Sequence, residues 1–344
     1  MFNNTPMANI GRFKVDKDCG TIISEVQAFL VENTEWISRY AEYAEKIKDN
    51  LEKIKLSKEK RFHEWAPLYL YMNVAAAKGQ GIFSLRYLGQ DVAKLKVALG
   101  KITISTKGFE AKNKRDFRCN VTLEGIDWRS ESAAKFRKYF SNHPKSTGDG
   151  GKGNEEHRIE SMFLTEFAKN IGKDKILCNI QPVKFAGIAR FQMPTPLSAC
   201  DINNIKFVGA AGGGIDIMAR IGKSGATKLC IMELKDQNIP KEPPSKVVKQ
   251  GLAYALFIRE LLKSDSGAVW WKIFGFSGKL PEQLELYVTC VMPSSVKNND
   301  TSFKEKIIKT GKDSFNLNYI YFEEEDHKVT GIETSLKRCI VKTH

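Results

Sequence analysis

Residues 212–238 read GGGIDIMARIGKSGATKLCIMELKDQN, and residues 246–262 read KVVKQGLAYALFIRELL. The first stretch is two apolar segments around a small-residue turn. Strand side chains alternate with a period of two, so Glu233 and Lys235 leave one face and Leu234 leaves the other. A two-residue turn at Ser224-Gly225 suits a tight hairpin and places Asp216 directly opposite Glu233. Directly opposed Cβ atoms lie about 4.5–5.5 Å apart. Two carboxylates that close repel unless a cation lies between them. A divalent metal meets that need, with Lys235 assisting at the edge. Hard oxygen donors beside an ammonium suit Mg²⁺ or Mn²⁺ rather than zinc.

Asp216 followed by Glu233-Leu234-Lys235 resembles the signature of the PD-(D/E)xK nuclease superfamily. Gln250-Gly251-Leu252-Ala253-Tyr254 on the next helix is similar to the QxxxY motif of its RecB-type branch, which includes lambda exonuclease-like enzymes. The resemblance covers roughly residues 154–292, and it departs from the pattern where Gly214-Ile215 replaces the proline before the acid. It implies an α/β fold: a restriction-endonuclease-like core with a mixed central sheet flanked by helices, beside an N-terminal α+β region. It also implies a metal-dependent nuclease acting on DNA, with RNA as the other nucleic-acid possibility. Asp216, Glu233 and the Leu234 carbonyl would be the metal ligands, and Lys235 would orient the attacking water. Gln250 and Tyr254 would hold the scissile strand or brace Lys235.

Superfamily members often add a carboxylate from the helix before the sheet. Here that helix is EEHRIESMFLTEFAKNIG, with Asn154 as its expected cap. Glu156 and Glu160 share a face at four-residue spacing. Glu160 borders the apolar stripe of Ile159, Phe163 and Phe167, so it is the expected catalytic and metal-binding acid, with Glu156 in reserve. The later helix, SKVVKQGLAYALFIRELLKS, takes Ser245 as its expected cap, and LELYVTCVMP at 284–293 reads as a further strand. The glycines of 212–214 fit either close approach to a phosphate or a bulge at the strand start.

Other chemistry finds less support. Gly222-Lys223-Ser224 lacks the upstream glycine of a P-loop, since Ile217 stands there, and a strand follows it instead of a helix. Seven cysteines form no CxxC or Cys/His cluster, which argues against zinc and iron–sulfur sites. Their odd, scattered number suggests no disulfide framework and fits a reducing compartment. No apolar run resembles a signal peptide or reaches membrane-spanning length, so a cytoplasmic setting without membrane contact is expected.

The 344 residues can form one large domain or two ordinary ones. The net charge of +14 is spread over both the first 150 residues and the remainder, which favours a polyanionic partner. Residues 21–60 show one helical pattern. Residues 66–130 are short alternating segments that read as an antiparallel sheet, closed by the short helix SESAAKFRKYF. Their aromatics are expected in a core, and their basic residues could contact phosphates. SNHPKSTGDGGKGN at 141–154 reads as a linker. It divides an N-terminal region at 1–150, separate or loosely docked, from a nuclease-like domain at 151–344. The tail is expected to add one strand. Two rival functions stand beside the nuclease: a nucleic-acid-binding protein with a silent nuclease-like core, and an interaction protein in which Glu233 and Lys235 form a solvated strand face.

Overall fold

The computed structural model describes residues 18–56, 68–72, 81–98, 101–109, 117–142, 155–171, 174–175, 177–185, 189–236, 243–297, 307–326 and 328–336. It is a mixed α/β protein with a seven-stranded mixed sheet and a second, six-stranded sheet.

The first helical pattern divides in two. Helix α1 (Cys19–Glu32) starts at Asp18, whose side chain accepts the Thr21 N–H at 2.7 Å, and it buries Ile22, Val26 and Leu30. The chain turns at Asn33-Thr34 before α2 (Glu35–Leu56). Asn33 caps the first helix on the Phe29 carbonyl, and the Trp36 indole N–H donates to Leu30 O at 3.0 Å across the corner.

Strands β1 (Leu68–Met72), β2 (Ile82–Tyr87), β3 (Gln90–Ala98), β4 (Lys101–Ser105) and β5 (Ile126–Asp127) form the expected antiparallel sheet. Phe83, Leu85, Leu95, Val97, Ile102 and Ile104 face its core. Helix α3 (Glu131–Ser141), capped by Ser130, sets Phe136 and Phe140 against it. The aromatics here are core, as their spacing suggests.

Helix α4 (Glu155–Ala168) opens the next region; its expected cap, Asn154, lies outside the described residues. A small hairpin of β6 (Asn170–Ile171) and β7 (Asp174–Lys175) follows, then β8 (Ile180–Pro182). The irregular stretch after it holds five short strands. These are β9 (Arg190–Phe191), β10 (Met193–Pro194), β11 (Leu197–Ser198), β12 (Lys206–Phe207) and β13 (Gly214–Ile215). The last pairs with β10, and β11 pairs with β12. Strands β14 (Ile217–Ile221) and β15 (Lys228–Leu234) form the hairpin. Helix α5 (Pro244–Lys263) and helix α6 (Gly267–Ile273) precede β16 (Glu285–Pro293).

The tail contributes more than the one strand expected. Strands β17 (Ile307–Thr310), β18 (Asp313–Glu325) and β19 (Lys328–Thr334) all join the larger sheet, whose order is β17-β18-β16-β15-β14-β8 with β19 also on β18. Strand β18 runs parallel to β16 along nine paired positions, from Glu285↔Ser314 to Pro293↔Phe322. It therefore lies inside the sheet rather than appended to it.

Alternation sorts this sheet onto two helices. Cys230, Met232 and Leu234 face α4 and its Ile159, Phe163 and Phe167. Leu229 and Ile231 face the other way, in one cluster with Leu252, Ala253 and Leu256 of α5. Gly251 is where α5 approaches the sheet, since a Cβ there would meet Val288 Cγ1 at 2.9 Å. Gly251→Val is expected to destabilise the protein by about 1–3 kcal/mol through overpacking, read as a lower urea midpoint with an unchanged slope. The cap of α5 is Pro243, with Pro244 at the first helical position, and not Ser245. Proline's fixed φ and missing N–H suit that position.

The hairpin keeps the expected register but not the expected turn. Ile217 pairs with Met232 and Ile221 with Lys228, so residues 222–227 form the connection, with a 3₁₀ turn over Ser224–Ala226 and Gly222 at φ +104°. The longer loop has the same midpoint as a Ser224-Gly225 turn, and the midpoint sets the register.

The N-terminal region is joined to the rest more closely than the composition of 141–154 suggests. Strand β9 extends the six-stranded sheet, pairing Tyr71 with Arg190 in parallel. Trp36 and Tyr40 pack edge-on against Phe257, with ring centroids 5.7 and 4.8 Å apart. The Trp270 indole N–H donates to Tyr40 O at 3.2 Å, and Tyr40 OH donates to Pro194 O at 2.7 Å. One apolar cluster runs from Ile22 to Tyr321.

The cysteine reading is corrected at one position. Cys178 is disulfide-bonded, whereas Cys119, Cys200, Cys230 and Cys290 are free thiols. Among the described residues, no helix is long and apolar enough to cross a membrane.

Candidate functional site

Asp216 lies at a bend between β13 and β14, where the chain leaves its pairing with β10 and enters the larger sheet. Its backbone is just past the last rung of the hairpin ladder, and its side chain takes over the pairing: Oδ2 accepts the Leu234 N–H at 2.7 Å. Glu233 is on the neighbouring strand, 3 % exposed. Lys235 leaves the strand on the same side, its Nζ 3.0 Å from Glu233 Oε1. The expected pairing of faces therefore holds. Both acids lie at the carboxyl end of β15, which runs parallel to β16, the end at which open α/β sheets bind ligands.

The third acid of this group is Glu156, in the first turn of α4. Its Oε1 is 3.1 Å from Lys235 Nζ. One carboxylate oxygen from each of Glu156, Asp216 and Glu233 lies within 4.8 Å of the others. These three carboxylates could hold a metal ion, and hard oxygen donors of this kind suit a hard divalent cation.

Glu160, the acid favoured by its place beside the apolar stripe, is not in this group. It points one turn further along α4, where Tyr71 OH donates to its Oε1 at 2.5 Å and His157 Nδ1 lies 3.5 Å from Oε2. Each turn of helix is about 5.4 Å, so only the first turn of α4 reaches the strand ends. Glu160 still borders the site. With Tyr71, Arg190 and Asp216 it lines a cavity of about 10 Å³, room for about one water.

Gln250 and Tyr254 project from α5 toward the acids. Gln250 Nε2 donates to Glu233 Oε1 at 2.6 Å, so it braces that carboxylate rather than Lys235. Tyr254 is 1 % exposed, and its hydroxyl lies where a Cβ on Gly213 would come within 2.8 Å. Gly212 is tighter still, since a Cβ would fall 1.7 Å from Thr195 O. These glycines let the chain pack closely on its own backbone and on Tyr254, which accounts for them without a phosphate.

Burial, then Glu233 and Glu156, push the Asp216 carboxyl well above the usual carboxylate range; Lys235 and the Leu234 N–H act against this. The residue is only half-buried, but its carboxyl end is turned into the protein. Burial and then Glu233 likewise raise the Tyr254 phenol, which is therefore a hydrogen-bond donor near neutral pH. Tyr71 is raised by burial and by Glu160. No family model, curated protein or solved structure matches this chain.

Tyr71 and Arg190 are the neighbours that sequence patterns miss. Tyr71 comes from the N-terminal sheet, and Arg190 reaches the site only because β9 pairs with β1. Neither has a local signature.

Gln250→Ala tests the brace on Glu233. A residue that orients a metal ligand typically contributes 10–100-fold to affinity. The substitution is expected to weaken Mn²⁺ binding by roughly that factor in a calorimetric titration, while the metal-free protein keeps its circular dichroism.

Proposed function

We propose that this protein is a metal-dependent nuclease that hydrolyses phosphodiester bonds in DNA. The observation that carries the reading is the constellation at the end of β15. Asp216 stands at the bend that opens β14, beside Glu233 on β15, Lys235 shares the face of Glu233, and Glu156 completes a carboxylate trio. The element order supports it. Helix α4, strand β8, hairpin β14–β15, helix α5 and strand β16 come in the expected order, with short strands between them, and Gln250 and Tyr254 lie on the helix after the lysine.

Glu156, Asp216 and Glu233 would hold the cation, with the Leu234 carbonyl as a further donor. A bound Mg²⁺ or Mn²⁺ would lower the pKa of a coordinated water and polarise a phosphoryl oxygen. The remaining work belongs to the chain. The Lys235 ammonium bridges Glu156 and Glu233 and holds part of their charge. With a cation held by the acids, it would orient the attacking water and stabilise the negative charge that grows on the phosphoryl group. The attacking water would give up a proton to solvent as its oxygen bonds to phosphorus, the phosphorus–oxygen ester bond would break, and the departing oxygen would take up a proton from solvent. Gln250 keeps Glu233 oriented throughout. Glu160, held by Tyr71, contacts the site through the small cavity beside Asp216.

The test is cleavage of linear, circular and single-stranded DNA with Mg²⁺, Mn²⁺ or EDTA. Metal-dependent loss of full-length substrate is expected. Absence of cleavage together with absence of any metal-induced change in melting would refute the reading. A metal-induced shift without cleavage would favour the silent, nucleic-acid-binding alternative.

A further inference from the structure

The six-stranded sheet has one face in the core and one exposed. On the exposed face the strand registers line up residues from the acidic site outward. Arg190 on β9 pairs with Tyr71 on β1, Tyr71 with Ser84 on β2, Ser84 with Lys94 on β3, and Lys94 with Ser105 on β4. Paired residues project from the same face, so this is a single row across five strands. A parallel row pairs Ile82 with Lys96 and Lys96 with Thr103, and Lys101 begins β4 beside it.

The row changes character along its length. At the site end, Tyr71 is buried under α4 by its bond to Glu160, Arg86 lies over the Tyr71 ring at 4.2 Å, and Arg190 lies over the Tyr69 ring at 4.8 Å. From β2 onward the face opens, with the Phe109 ring centroid 5.7 Å from Lys94 Nζ at its edge. Lys94, Lys96 and Lys101 are exposed, and Ser84, Thr103 and Ser105 are half-exposed. The acids nearby, among the described residues, are already engaged. Asp91 is paired with Arg86 at 2.8 Å, Glu124 with Lys107 at 3.0 Å, and Asp127 accepts the Arg129 N–H.

We propose that this exposed face binds the DNA backbone leading away from the scissile phosphate, with Lys94, Lys96 and Lys101 as phosphate contacts. The inference rests on the nuclease reading for the place of the scissile bond. Charge complementarity selects the occupant: three exposed ammonium groups with hydroxyls between them, in rows, suit phosphate oxygens better than a protein surface of mixed charge. The length also fits. Three strand spacings of about 4.8 Å put Lys94 roughly 14 Å from Arg190, the rise of about four base pairs of duplex. A strand lying on this row would meet the cavity lined by Arg190, Tyr71 and Asp216 at its inner end.

The experiment measures binding of a labelled mixed-sequence DNA duplex to the full chain in EDTA, by anisotropy over a salt series. The variants are Lys94→Gln/Lys96→Gln/Lys101→Gln and its Glu counterpart. A control, Lys279→Gln/Lys309→Gln/Lys312→Gln, removes equal charge at exposed positions outside this sheet. Each phosphate contact adds about 0.9 to the slope of log K against log salt. The face variant should therefore lose about 2–3 from that slope and on the order of 100-fold in affinity near 0.1 M salt, while the control stays near wild type. Equal losses in face and control variants would overturn the proposal, because affinity would then follow net charge alone. So would an unchanged face variant, or a wild type that does not bind. A metal-induced melting shift measured on the same samples separates the two readings. If the shift persists while the face variant binds normally, this surface is wrong and the metal site stands.

Discussion

Asp216→Asn is expected to abolish metal-dependent cleavage and, in EDTA, to make the protein more stable than wild type. The two effects have one cause. The Asp216 carboxyl is turned into the protein beside Glu233 and Glu156, which raises its pKa well above the ordinary value near 4. A carboxyl with a raised folded pKa binds its proton more tightly folded than unfolded. As pH rises from the unfolded value to the folded one, the unfolded state loses the proton first, so stability falls across that window and levels off above it. Asparagine keeps the shape, removes the ionisation and still offers an oxygen to the Leu234 N–H. The stability difference between variant and wild type should therefore be small below about pH 4 and grow as pH rises towards the folded pKa. Metal reverses the order, because the cation stabilises the wild type by binding the folded state and has one anionic ligand fewer in the variant. The loss in rate should be at least about 10²–10³, the usual effect of removing one preorganised electrostatic contact. Lys235→Met should lose activity to a similar extent, but without the stability gain, since it leaves Glu156 and Glu233 facing each other. Calorimetric melting across pH, with EDTA and with Mg²⁺, reads both signs. Wild-type cleavage by Asp216→Asn, or a variant less stable than wild type in EDTA at neutral pH, would remove the carboxylate from the proposed mechanism.

What can be read from the residues, and what cannot, divides by distance along the chain. The juxtaposition of Asp216 with Glu233 is legible because two apolar strands and a short connection leave little freedom: the midpoint of the loop sets the register even when its conformation is misjudged. The shared face of Glu233 and Lys235 follows from strand alternation; that Gln250 braces Glu233 and not Lys235 does not, because it depends on how α5 sits over the sheet. The choice between Glu156 and Glu160 is not legible. They occupy one face of α4, and the decision depends on how far the helix extends past the strand ends, a tertiary quantity. Tyr71 and Arg190 are out of reach for the same reason, being brought to Asp216 by a parallel pairing between segments more than a hundred residues apart. The tail stretch NLNYIYF reads as one strand and lies in β18, whereas β17 and β19, which flank it, have no comparable apolar run and are not legible.

Residues 155–344 expressed alone are expected not to fold cooperatively, although the Gly-rich composition of 141–154 reads as a domain boundary. The reason is the core surface that the N-terminal residues cover. Phe257 and Trp270 are fully buried, and the rings of Trp36 and Tyr40 pack against them. Burial of each large apolar side chain contributes about 1.5–3 kcal/mol, and a domain's whole stability is about 5–15 kcal/mol. Uncovering Phe257, Trp270 and their aliphatic neighbours on α5 therefore removes an amount comparable to the total. The cut also leaves the hydrogen bonds of Tyr40 to Pro194 and Trp270 unmade and gives β9 no strand to pair with. The expected fragment has substantial far-ultraviolet dichroism, a broad non-cooperative melt and strong binding of an apolar dye. Adding residues 1–150 in trans should restore a cooperative melt, since Trp36 and Tyr40 are held against α5 and α6 by packing and a hydrogen bond. A sharp calorimetric transition for the isolated fragment, at a temperature near that of the full chain, would show that residues 1–150 are accessory. Glu160 would then have to keep its position without Tyr71, and the basic sheet face could no longer be part of the same rigid surface as the acidic trio.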